Sequence, residues 1–167
     1  MTAPNTLGNT AFARTPEQIA HYQATIGKGV CPFCKPDPTI NKIIRTGTFW
    51  RVWPNPFAYT HNAHHIIFAT IEHVTDIATL DPAVFAAMMA ELATLAQSVI
   101  NEFGIEGGAL VMRFGDMRLN AGTLHHLHAH IQVPDGTGPA FAVFNKLDSA
   151  HAENQLELLR KAFTPPV

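Results

Sequence analysis

The stretch Leu124-His125-His126-Leu127-His128-Ala129-His130-Ile131-Gln132-Val133-Pro134 decides how the rest of the chain is read. As a β-strand, its period of two places His126, His128 and His130 on one face and Leu127, Ala129, Ile131 and Val133 on the other. One face is chemical and the other structural, with His125 on the apolar side at the strand entry. Three imidazoles side by side are tolerated only when each finds a partner. Because imidazole serves as acid, base, nucleophile and metal ligand, the pattern points to a metal site or a phosphate-transfer site.

Working outward, Asn120-Ala121-Gly122-Thr123 is a turn into this strand, and Ala109 to Phe114 reads as another strand after Gly107-Gly108. Before it, Asp81-Pro82 is a cap followed by proline, and apolar residues recur from Phe85 through Met88, Leu92, Leu95, Ala96 and Val99 to Phe103. That spacing predicts a long helix ended by Gly104. His64 to Ile71 is a continuous apolar run expected of a buried central strand, and Thr48 to Trp53 is a strand closed by Pro54-Asn55-Pro56. Thr15-Pro16-Glu17-Gln18 opens a short helix that should stop at Gly27. Downstream, Pro134-Asp135-Gly136 ends the histidine strand, an edge strand is expected at Phe141 to Phe144, and an amphipathic helix at about 148–163. One long helix among short strands, without β-α-β alternation, argues for an α+β class with an antiparallel sheet.

The 167 residues allow one domain with a sizeable core. With 47% hydrophobic and 14% charged residues the chain is globular, and a net charge of −2 supplies no basic field for long nucleic acids. The amino terminus lacks a basic segment followed by an apolar run, and no window approaches the ~18 apolar residues of a membrane span. A cytoplasmic location is expected. A reducing compartment leaves Cys31 and Cys34 as thiolate ligands or a redox pair, and Pro36 and Pro38 argue against the helix that a thioredoxin-like redox pair precedes. A structural zinc takes two ligands from such a knuckle and two from elsewhere, and the chain has histidines to spare.

His126-Leu127-His128-Ala129-His130-Ile131-Gln132 resembles the signature of the histidine triad superfamily, His-φ-His-φ-His-φ-φ with φ apolar. A strand at His65, a second histidine at His73, the long helix and the Gly122-Thr123 turn fit the same pattern, over roughly residues 29–134. The resemblance implies a single domain over residues 1–167, with that core and a C-terminal extension at 139–163. It also implies a five-stranded antiparallel sheet packed by one long helix plus terminal helices, and a homodimer. The activity it implies is a nucleotidyl hydrolase or transferase acting at the α-phosphate of a dinucleoside polyphosphate, a nucleoside phosphoramidate or a related conjugate.

In such proteins the residue matching His128 attacks the phosphorus and forms a nucleotidyl-imidazole, which suits neutral imidazole as a nucleophile. His130, about 6.6 Å along the same face, would donate to a phosphate oxygen, beside His126. The resemblance further places His65, Asn55, Gly122 and Thr123 around the substrate. Zinc-binding relatives imply a structural zinc on Cys31, Cys34, His73 and His126, and no organic cofactor. The chain departs from the family pattern at His64 (usually glycine), Thr70 (usually proline) and Gln132 (usually apolar), the last implying a partly exposed strand end. Three other readings are a phosphorylase using inorganic phosphate, a non-catalytic nucleotide sensor or adaptor, and a hydrolase with the three histidines on a catalytic metal. The last has no nearby carboxylate to complete its usual ligand set.

Overall fold

The computed structural model describes residues 7–139 together with residues 159, 160, 162 and 163. Five strands, β1 (Arg45–Thr46), β2 (Trp50–Pro54), β3 (Asn62–Thr70), β4 (Ala109–Arg113) and β5 (His128–Pro134), form one sheet in the order β1-β2-β3-β5-β4. Every pairing is antiparallel. The α+β class, the five strands and the long helix are as expected. The histidine strand lies in the interior of the sheet, hydrogen-bonded to β3 on one side and to the edge strand β4 on the other.

Local chemistry sets the helix bounds. In α1 (Pro16–Ile26) the Thr15 hydroxyl accepts from the Gln18 N–H, proline fills the first position and Gly27 follows. In α2 (Pro82–Phe103) the Asp81 carboxylate accepts from Ala83 and Val84, and Gly104 ends the helix at φ 59°, a left-handed turn that a side chain would strain. Met88, Leu92 and Ala96, spaced four apart, are the buried stripe of α2. They meet Trp50, Val52, Ile66, Phe68, Leu127, Ala129 and Ile131 in the main core. The structural side of the histidine strand is therefore the side that α2 covers. Trp50 donates its indole N–H to the Met88 carbonyl at 2.7 Å, and the Glu91 carboxylate accepts from the Thr48 and Phe49 amides at 2.6 and 2.7 Å. A Cβ at position 47 would lie 2.0 Å from Glu91 Oε1, so a side chain there would have to push the Glu91 carboxylate off these amides.

The opposite face is covered as well. A second cluster joins Tyr22 and Ile26 of α1 and Cys31 and Phe33 of the cysteine loop to Trp53, Ile67, Ala69 and Leu124. The N-terminal arm is pinned beside the histidine strand by Asn9 N–H to Thr123 O at 2.9 Å, His125 N–H to Leu7 O at 3.0 Å and a bridge from Gly8 to Leu124.

Five expectations need correction or placement. β5 begins at His128, not at Leu124, because residues 124–127 bond to the arm and, through Leu127 N–H to Val74 O at 2.6 Å, to the loop after β3. His126 thus sits in a bend before the strand. Gln132, expected to be partly exposed, is 5% exposed, because interior pairing with both β3 and β4 encloses it. Helix α2, at 22 residues and a mean hydropathy of 1.6, is long and apolar enough by length and composition to cross a membrane, contrary to the expectation that no window approaches such a span. Alanines raise its apolarity, while its bulky stripe packs on the sheet. The strand expected at Phe141 to Phe144 lies outside the described residues, as does the helix at 148–163 apart from residues 159, 160, 162 and 163, which are helical.

Leu92→Ala should lower the unfolding free energy by about 3 kcal/mol through the transfer and cavity terms. Val84→Ala, on the exposed side of α2, should cost less than about 1 kcal/mol. Urea midpoints of the two variants check this, and equal losses would contradict the assigned packing face.

Candidate functional site

Interior pairing and double coverage put four imidazoles in a nearly dry environment. His65, His126, His128 and His130 are all buried. Phe33, between the two cysteines, stands edge-on to His126 and to His128 at centroid distances of 5.7 and 5.2 Å, and edge-on to Trp53. It thereby separates and orients the two rings.

Fixed donors and acceptors determine where the ring protons sit. A carbonyl only accepts, so the 2.5 Å contact from His128 Nδ1 to the His126 carbonyl requires Nδ1–H and leaves the lone pair on Nε2. The same logic at His126, whose Nε2 is 2.8 Å from the Thr70 carbonyl, leaves its lone pair on Nδ1. A backbone amide only donates, so the Tyr59 N–H at 3.2 Å makes His65 Nδ1 the acceptor and His65 Nε2 the protonated nitrogen. His65 Nε2 lies 2.9 Å from His130 Nδ1, which must then accept. His130 is left with its proton on Nε2. One ring thus offers a lone pair while its neighbour, 4.9 Å away between centroids, offers an N–H.

Burial acts in the same direction by disfavouring the charged form. It holds His128 and His65 down at about 4 and His126 at about 3, and His130 well below its ordinary value. The nearby Arg14 and Arg113 guanidiniums lower His65 and His128 further. All four rings are neutral at pH 7.

Beside them, Cys31, Cys34, His73 and His126 bring four ligand atoms within 4.8 Å of one another, close enough to hold a metal ion. Cys31 Sγ is 3.4 Å from His126 Nδ1, Cys34 Sγ is 3.2 Å from His73 Nδ1, and the two Nδ1 atoms are 3.3 Å apart. The lone pair of His126 thus points at the cysteines, because Thr70 holds its other nitrogen through both its carbonyl and its hydroxyl at 2.9 Å. Thr70 fixes this tautomer, as the outer partner of a metal-ligating histidine would. Burial pushes the Cys34 thiol up to about 12, with Cys31 adding to the rise.

The residues expected around a substrate do gather. Asn55, Gly122, Thr123, His128 and His130 line one small cavity, and His65 hydrogen-bonds to His130 behind it. The Gly122 N–H is already given to the Asn120 side chain at 2.7 Å, so in this structure that turn offers a hydroxyl at Thr123 sooner than an amide at Gly122. The Asn55 amide lies 3.1–3.3 Å from the His65 ring nitrogens and its oxygen accepts from the Phe57 amide. Arg14, Arg113 and Tyr59 also line the cavity, and sequence reasoning missed all three. Arg113 carried a signal, being the single charge closing the apolar run Ala109-Leu110-Val111-Met112. Arg14 and Tyr59 carried none.

A neutral buried ring must take up a proton when the chain unfolds in acid. His65 titrates near 6.5 when free and near 4 in the fold, so its contribution is fully present above pH 6.5 and is lost as pH falls from 6.5 toward 4. The loss should total about 3 kcal/mol. Urea unfolding across this window should show falling stability, and His65→Asn should reduce the proton uptake by about one.

No protein-family model matches the sequence, and no curated protein matches it. Solved structures do resemble it. A histidine triad protein from Clostridium difficile, 15% identical, superposes over 66% of this chain and 95% of its own with a TM-score of 0.53. A HIT family hydrolase from Clostridium thermocellum, 19% identical, matches over 60% and 85% with a TM-score of 0.48. One from Legionella pneumophila Philadelphia 1, 15% identical, matches over 65% and 95% with a TM-score of 0.49. With the five-stranded sheet, the long helix and the His-x-His-x-His strand entry already in place, the first of these identifies the architecture as the histidine triad fold.

Proposed function

We propose that the protein is a nucleotidyl hydrolase or transferase that works through a covalent nucleotidyl-His128 intermediate. The observation that carries this reading is the fixed pairing of a bare Nε2 on His128 with an Nε2–H on His130 at one cavity. The Nε2 lone pair of His128 forms a bond to the α-phosphorus, while the bond from phosphorus to the leaving group breaks and the leaving group keeps the electron pair. His130 donates to a non-bridging oxygen as charge builds there. Water then adds to phosphorus, its proton goes to solvent, and the phosphorus–nitrogen pair returns to His128, releasing the nucleoside monophosphate. Two modest displacements replace one difficult one. His65 and Asn55 position His130, and Thr123 contacts the phosphate.

The metal is zinc and its role is structural. Tetrahedral zinc, with bonds of about 2.3 Å to sulfur and about 2.0–2.1 Å to nitrogen, requires S···N edges of about 3.5 Å and N···N edges of about 3.3–3.4 Å. The corresponding distances here are 3.2–3.6 Å and 3.3 Å. All four donors are taken by the site, and the free thiols suit a reducing compartment such as the cytoplasm.

A homodimer completes the reading. Among the described residues β4 is an edge strand, and Leu110, Phe114 and Leu119 on and after it are between 49% and 52% exposed. An open edge flanked by apolar side chains is a template for strand pairing with a second copy.

His128→Ala should abolish turnover of a panel of dinucleotides and phosphoramidates, and the native protein should yield a nucleotide adduct on His128 by mass spectrometry. Turnover surviving in that variant sinks the covalent mechanism, and dependence on inorganic phosphate identifies a phosphorylase instead. Metal analysis should find about one zinc per chain, lost in Cys34→Ala and retained in His128→Ala. Light scattering should give twice the chain mass, reduced to one by Leu110→Asp.

A further inference from the structure

We propose that the Tyr59 ring, held in place by Arg14, is a positioning element of the catalytic centre that fixes the plane of His65 and, through it, the proton on His130. The inference rests on the nucleotidyl-transfer reading of His128. The Tyr59 and His65 rings are stacked, 7° from parallel with centroids 5.1 Å apart, and the Arg14 guanidinium carbon lies 3.8 Å from the Tyr59 centroid. From His65 the contact continues inward, with Nε2 2.9 Å from His130 Nδ1 and the His130 ring 4.9 Å from that of His128. An unbroken row of rings therefore joins the partly exposed Tyr59 to the buried nucleophile.

His65 has two rotations to resist. A half-turn about its Cβ–Cγ bond would put a ring carbon where Nδ1 stands and lose the bond from the Tyr59 amide at 3.2 Å. A quarter-turn would swing Nε2–H out of line with His130, and parallel stacking on Tyr59 is what opposes it. Asn55 lies almost equally far from the two ring nitrogens, 3.1 and 3.3 Å, and so does not select between them. Tyr59 thus acts twice on one ring, the amide selecting the nitrogen and the phenol ring selecting the plane. Only when both hold does His65 Nε2–H meet His130 Nδ1 and confine the His130 proton to Nε2, where it serves the phosphate.

Tyr59 is in turn held from the N-terminal arm. Arg14 stacks on it and donates to the Phe57 carbonyl at 2.8 Å, so one side chain grips the loop between β2 and β3 at two points. The Arg14 backbone is fixed by its N–H to the Gln18 side-chain oxygen at 2.8 Å, and Gln18 is buried in α1. At the other end of the phenol, the hydroxyl oxygen lies 3.4 Å from Arg113 Nη2. A planar guanidinium suits this task because it stacks on an aromatic face and still donates along its edge. Burial, and after it the charge of Arg14, holds His65 down at about 4, so near pH 7 the ring keeps one donor and one acceptor for this chain of contacts.

Heteronuclear NMR of the histidine side chains reads the tautomers without turnover. Native His130 should show Nε2–H alone. Tyr59→Leu keeps the backbone amide and removes the ring, so His130 should show both tautomers, and kcat on a nucleoside phosphoramidate should fall about tenfold with KM within about twofold of native. Tyr59→Phe restores the stack and should recover most of that loss. If Tyr59→Leu loses its native circular dichroism, Arg14→Gln carries the test, with kcat down about threefold and a second His130 tautomer in the spectrum. A single His130 tautomer in folded Tyr59→Leu, or in Arg14→Gln where that variant decides, overturns the stack, and so does an equal loss of kcat in Tyr59→Phe and Tyr59→Leu. Turnover that survives His128→Ala sinks the covalent mechanism instead, while the spectra still decide the role of Tyr59.

Discussion

Four imidazoles survive in the interior because each has its proton assigned by a group that cannot change its mind. A carbonyl cannot donate and a backbone amide cannot accept, so the His126 and Thr70 carbonyls and the Tyr59 amide settle the tautomers of His128, His126 and His65, and through His65 that of His130. Burial then excludes the charged forms. Without these backbone partners the same rings would be desolvated polar groups of undefined direction, which folds rarely tolerate. The positions of β3, the loop before it and the bend at 126 are what this assignment demands.

The sheet meets that demand by being interior in both senses. β5 has neighbours on both edges, and α2 covers one face while α1 and the cysteine loop cover the other. The second cover matters chemically, since Phe33 reaches both the His126 ring of the cysteine–histidine quartet and the His128 ring with the bare Nε2. Loop, cluster and cavity are thereby one packed unit.

Much of this was legible in the sequence because it depends on short-range periodicity. The stripe of Met88, Leu92 and Ala96 and the caps at Thr15 and Asp81 are local signals that the structure places as read, and of the alternating histidines His128 and His130 lie on the strand while His126 sits in the bend before it. The cysteine and histidine quartet followed from resemblance and meets in space. What was illegible depends on which distant segments touch. Arg113 gains its place from the β4–β5 register, Arg14 from an arm bound to Leu124, and the late start of β5 from bonds to Val74 and Leu7. Gln132 looked like a strand end near solvent because periodicity says nothing about how many neighbours a strand has.

The separation of the cysteine loop from its partner histidine along the chain has a consequence for folding. Cys31 and His126 are 95 residues apart, and Cys34 and His73 are 39 apart. Bringing them together closes long loops, an entropic cost that sheet pairing must already have met. The unfolded chain offers an ion the two neighbouring thiols and the clustered histidines at 125–130 only as separate short segments, so it competes less well than the assembled quartet, and the difference in binding free energy accrues to the native state. An ion in this quartet therefore acts as a latch that closes last and chiefly slows unfolding.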